Sequence, residues 1–165
     1  MKVIKPSVSY LDKKGMTPYQ FIEKIGRTCY KSEDKITDGS SLNFVKGLVG
    51  RNHYAMIEHY WVHLVVRSDI PYALTELGLN DVKKYMHFSI LEDGVTYVSC
   101  PLRVFFDHIY IMEDLHNPYI EPVKDMWQCV INRFSTIFEL FGYSIKPVTL
   151  STLIEEEDFC NDLVR

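Results

Sequence analysis

The sequence predicts a single α+β domain over residues 1–165, with a small mixed or antiparallel sheet and helices packed on it. Three observations predict this class. Tyr60 to Arg67 reads Tyr-Trp-Val-His-Leu-Val-Val-Arg, a run dominated by aromatic and β-branched residues with no breaker, which marks a central strand. Flanking segments repeat apolar residues at i, i+3 and i+4, the period of a helix with one buried side. The composition, 47% hydrophobic and 24% charged over 165 residues, supplies one sizeable core, and no linker, repeat or low-complexity stretch divides it.

The elements follow in order. Residues 2–10 read as a first strand, edged by Pro6, which cannot donate to a central ladder. Thr17-Pro18-Tyr19-Gln20 is a helix start: a capping hydroxyl, proline at the first helical position, and a glutamine three residues after the cap. Phe21, Ile22, Ile25 and Cys29 form its buried stripe. The polar stretch 31–40 is a loop, and Ser41 or its neighbour caps a second helix carrying Leu42, Val45, Leu48 and Val49. After the strong strand come two short helical pieces between Pro71 and Phe88, separated by Gly78 and Asn80. Residues 90–98 read as strand, glycine-containing turn, strand. Pro101 is expected to open a helix with Leu102, Phe105, Phe106 and Ile109 on one side. Asn117-Pro118 is expected to open the longest helix, running through Val123, Trp127, Val130, Ile131, Phe134 and Phe138 to a stop at Gly142. A short strand near 145–150 and an acidic helix capped by Ser151 complete the expectation.

Charge and cysteine usage narrow the function classes. The net charge of −4 argues against a dedicated nucleic-acid binder, whose affinity rests on a basic face. Lys and Arg are in excess over the first fifty residues and outnumbered after residue 100, which leaves room for a local positive site early in the chain. No apolar run approaches the roughly 18 residues of a membrane span, and Met1 to Pro6 lacks the apolar stretch of a secretory signal, so a cytoplasmic location with no membrane partner is expected. Cys29, Cys100, Cys129 and Cys160 form no C-x-x-C pair; reduced thiols are expected, with Cys29 and Cys129 at helical core positions.

The densest group of chemically capable residues is Arg51 to His63, which holds His53, Glu58, His59 and His63 where the second helix hands over to the strand. Their spacing fits neither the His-Glu-x-x-His helix nor a Cys/His zinc template, so no metal site is expected. Glu58 and His59 read as an internal structural pair, and His63 and His87 as structural. His53 stands apart, because a helix-to-strand loop lets a side chain face a ligand.

Thr28-Cys29-Tyr30, then Asn52-His53-Tyr54-Ala55-Met56-Ile57-Glu58-His59 before an apolar strand, resembles the N-terminal signature of flavin-dependent thymidylate synthases. Downstream, Tyr97-Val98-Ser99-Cys100-Pro101-Leu102-Arg103 looks like that family's Tyr-Ile-Ser-Gly-Asn-Ala-Arg segment, and His116 falls where many members carry a cofactor-facing histidine. The resemblance implies a shortened version of that fold. It also implies FAD as cofactor, NADPH and methylenetetrahydrofolate as co-substrates, deoxyuridylate (dUMP) as methyl acceptor, and a homotetramer with flavin sites built from several subunits. The cofactor-binding residues it implies are His53 near the flavin, Arg103 near bound nucleotide and His116 by the isoalloxazine; it assigns no catalytic residue. The family's Arg-His-Arg substrate grip has no counterpart, Cys100-Pro101 replaces Gly-Asn, and Met112 stands where an arginine usually holds phosphate. These departures carry the alternative expectation, a family homologue without turnover that binds a flavin or nucleotide or acts as a scaffold.

Overall fold

The computed structural model describes residues 15–90, 95–113, 117, 119–147 and, as backbone alone, 154–156. The expected strand at 2–10 lies outside them. Helix α1 (Pro18–Cys29) begins as its sequence requires: Gln20 N–H donates to Thr17 Oγ1 at 3.2 Å, and Thr17 N–H donates to Gln20 Oε1 at 2.8 Å, a reciprocal capping box. Helix α2 (Ser40–Val49) packs on it. The crossing is close at Gly26, where a Cβ would stand 2.7 Å from the Phe44 ring, so only glycine fits unless that ring moves. Glu23, buried midway along α1, accepts from Ser40 Oγ at 2.8 Å and from Arg27 Nε at 3.3 Å and ties the middle of α1 to the start of α2.

The described strands form a four-stranded antiparallel sheet in the order β2-β3-β1-β4, comprising β1 (Trp61–Val66), β2 (His87–Ile90), β3 (Thr96–Pro101) and β4 (Ile154–Glu156). Between β1 and β2 lie α3 (Ile70–Glu76) and α4 (Asn80–Lys83), with Gly78 in the left-handed region between them. Side chains alternate as the pleat dictates. Val62, Leu64 and Val66 of β1 and Val98 and Cys100 of β3 face the core, while Trp61, His63, Tyr97 and Ser99 take the other face. Helix α5 (Arg103–Asp107), α6 (Ile120–Arg133) and α7 (Ser135–Phe138) complete the core, in which Trp127 is fully buried and its indole N–H donates to Phe105 O at 3.3 Å.

Five expectations are corrected. Pro101 ends β3 rather than opening a helix. Leu102 N–H donates to Tyr60 O at 2.7 Å on the β1 side, so the nitrogen of Pro101 faces the β2 side, beyond the strand's start at His87, where no ladder bond is lost. The long helix breaks at Phe134 (φ −111°), whose buried ring meets the edges of Tyr19 and Tyr60 at 6.0 and 5.8 Å. Residues 145–147 form no strand, and Ile154–Glu156 of the expected acidic helix is instead strand β4 on the free edge of β1, where backbone pairing outweighs helix propensity. Cys29 is exposed and Cys129 half-buried; among the described residues the core cysteine is Cys100, whose burial pushes its thiol pKa far up.

Candidate functional site

Two helix ends with the same unusual backbone meet at the site. Helix α2 closes with Asn52 in the left-handed region (φ 56°), His53 N–H donating to Leu48 O at 2.9 Å and Asn52 N–H to Val49 O at 3.0 Å. Helix α1 closes identically, with Lys31 at φ 50°, Ser32 N–H on Arg27 O at 2.9 Å and Lys31 N–H on Thr28 O at 3.2 Å. These are Schellman closures in which glycine is the usual residue. Asn52 suits the position through its short polar side chain, whose Oδ1 accepts from Tyr54 Oη at 3.0 Å; Lys31 carries about 1–2 kcal/mol of local strain there. Both closures turn a neighbouring side chain, Tyr30 or His53, to the surface, where both are exposed.

The third component comes from the sheet. Ile57, fully buried, anchors a single 3₁₀ turn (Ile57–His59) and leaves Glu58 outside. The Leu102–Tyr60 bond sets Arg103 at the first position of α5, directly opposite. Arg103 Nη1 donates to Glu58 Oε2 at 2.9 Å, and Nε donates to Asp107 Oδ2, one turn along, at 2.9 Å. The three side chains are 41%, 53% and 36% exposed. The hydrogen bond it donates to Glu58, then that to Asp107, raises the guanidinium pKa above its ordinary value, so Arg103 is a permanent cation. Its other terminal nitrogen, Nη2, makes no hydrogen bond among the described residues.

Arg103 is the wall shared by two depressions. One, of about 320 Å³, is lined by Tyr30, Asn52, His53, Tyr54, Ala55 and Arg103; Tyr54 stacks on the buried Phe106 ring, centroids 5.5 Å apart. The other, of about 160 Å³, runs along Glu58, Pro101, Val104 and Asp107 to Tyr85 and His108. His108 Nδ1 lies 3.0 Å from Val104 O, an atom that can only accept, so Nδ1 donates in this contact.

Of the residues singled out in the sequence, His53 and Arg103 therefore come together, although fifty residues apart. His116 lies outside the described residues. Glu58 pairs with Arg103 rather than with His59. His63 lies in the sheet with Nδ1 3.0 Å from Ser99 Oγ, and His87 stacks on Trp61 at 5.6 Å; neither lines the depression that His53 lines. Among the described residues no group of three His, Cys, Asp or Glu side chains is placed to hold a metal ion. Sequence reasoning missed Asp107, Tyr85 and His108; the i, i+4 spacing of Arg103 and Asp107 is the one signal that could have found a member of this set.

Chemically, the larger depression offers two aromatic surfaces, an imidazole and one guanidinium edge, a set suited to a planar ring next to an anionic group. At 320 Å³ it sits at the small end of the roughly 300–1,000 Å³ of ligand pockets. No helix among the described residues is long and apolar enough to cross a membrane. No family model matches the chain, and neither a curated protein nor a solved structure matches it.

Proposed function

We propose that this chain is a flavin-dependent thymidylate synthase-like protein of the cytoplasm that binds FAD at the depression between His53 and Arg103. The observation that carries the reading is convergence: the two positions that the resemblance marks as flavin-facing and nucleotide-facing line one surface depression, with Tyr30 and Tyr54 beside them. The donor set fits the group. The tyrosine rings suit a flat heterocycle, the His53 imidazole a ribose or ring atom, and Arg103 a phosphate. Among the described residues the depression, at about 320 Å³, is small for a dinucleotide, so the proposal includes a homotetramer whose subunits complete each site. When bound, FAD would supply hydride chemistry, with NADPH as reductant, methylenetetrahydrofolate as one-carbon donor and dUMP as acceptor. The protein's part would be to orient ligand at His53 and Arg103 and to exclude water.

A second reading, flavin or nucleotide binding without methyl transfer, is favoured by one observation. Among the described residues Arg103 is the only Lys or Arg lining the depression, and two carboxylates already engage it. A phosphate dianion ordinarily takes several converging cations or backbone donors.

The test is a visible absorption spectrum of the purified protein after adding FAD and removing the excess. Stoichiometric flavin bands, lost in His53→Ala, are expected. Absence of retained flavin at micromolar protein would overturn the FAD assignment. With flavin retained, NADPH oxidation dependent on dUMP and methylenetetrahydrofolate separates the enzyme from the binding protein.

A further inference from the structure

We propose that Glu58 is a built-in competitor for the anion site: its carboxylate occupies the guanidinium of Arg103, and a phosphate-bearing ligand binds by displacing it. The inference rests on the reading of the His53–Arg103 depression as a ligand site and adds how access to that site is set.

Three features carry it. Glu58 and Arg103 are 45 residues apart and come from separate elements, the 3₁₀ turn before β1 and the start of α5, so either can move without unwinding the other's element. Asp107 belongs to α5 itself and holds Nε, and it therefore keeps the guanidinium in place when Glu58 leaves Nη1. The Glu58 side chain is more than half exposed, so the displaced carboxylate returns to water with little desolvation cost, and an exposed pair of this kind contributes little net stability. A phosphate oxygen pair reaching Nη1 and Nη2 makes two charge-assisted hydrogen bonds where Glu58 makes one. The exchange thus favours the ligand by geometry, while the resident carboxylate discourages weak monovalent anions. The ligand class is a phosphate mono- or diester or a diphosphate, with its ring system toward Tyr30, His53 and Tyr54.

Inorganic pyrophosphate is the probe, titrated calorimetrically into the full chain at low ionic strength, where screening is least. Glu58→Gln keeps the shape and removes the charge, and should bind pyrophosphate about two- to fivefold tighter than the unaltered protein. Arg103→Met should abolish binding, and the double variant should match Arg103→Met. That last comparison excludes a general gain from removing any negative charge, which would persist without Arg103. The proposal is overturned if Glu58→Gln binds no tighter, if the gain survives in the double variant, or if neither protein binds pyrophosphate. FAD retention, read separately by absorbance, can fail while this response holds, or hold while it fails, so the two readings are distinguishable.

Discussion

Helix α5 is five residues long and its two sides behave as different materials. Inward, Phe105 meets Trp127 with ring centroids 4.9 Å apart, and Phe106 lies on Phe138 at 4.4 Å and nearly parallel, all four rings buried. Outward, Arg103 and Asp107 form a short chain with Glu58 in which every side chain is at least a third exposed. Burial of rings contributes kilocalories that cannot be exchanged for anything in water, whereas exposed ion pairs are nearly balanced against hydration and are easily traded. The inner side fixes where Arg103 stands; the outer side is free to respond to a ligand.

The largest effect that sharpens this comparison is at Trp127. Trp127→Ala removes a fully buried ring and an indole hydrogen bond, and should lower unfolding free energy by about 3–5 kcal/mol in denaturant titration. A loss under about 1 kcal/mol would mean that the inner side is not the organising core. Glu23 supplies the intermediate case, a carboxylate–cation contact like that of Glu58 but 2% exposed rather than 53%. Glu23→Ala should cost about 1–3 kcal/mol, since it leaves Ser40 and Arg27 without their shared acceptor. If it costs no more than Glu58→Ala, burial is not what separates the two regions. Lys31→Gly should go the other way and stabilise by about 1 kcal/mol, because glycine relieves the left-handed backbone beside Tyr30. A destabilisation would show that the Lys31 closure is not strained.

The sequence was most legible where local chemistry dictates local structure. Thr17, Pro18 and Gln20 specify the start of α1 without tertiary help, and the aromatic and β-branched run specifies β1 at the centre of the sheet. It was least legible where a long-range contact overrides a local signal. Pro101 carries a helix-start signature but ends β3 beyond the start of β2, Phe134 leaves its helical stripe to pack between Tyr19 and Tyr60, and the acidic segment pairs with β1 through its backbone. The site divides in the same way. His53 was legible as a loop residue next to a strand. The Glu58–Arg103 pair was not, because a separation of 45 residues carries no periodicity that links a 3₁₀ turn to a distant helix start.

The smallest effect on stability decides most about the outer side. Arg103→Met keeps the apolar stem that packs along the helix and removes two exposed ion pairs, and each such pair contributes at most about 1 kcal/mol. The loss of Glu58–Arg103 attraction is further offset because two carboxylates are returned to full hydration. Denaturant titration of Arg103→Met should therefore fall within about 1 kcal/mol of the unaltered protein and keep the same dependence on denaturant, while pyrophosphate binding is lost altogether. A loss approaching that of Trp127→Ala would show that the Glu58–Arg103–Asp107 chain holds the fold together, and a contact that holds the fold together cannot also be the one a ligand displaces.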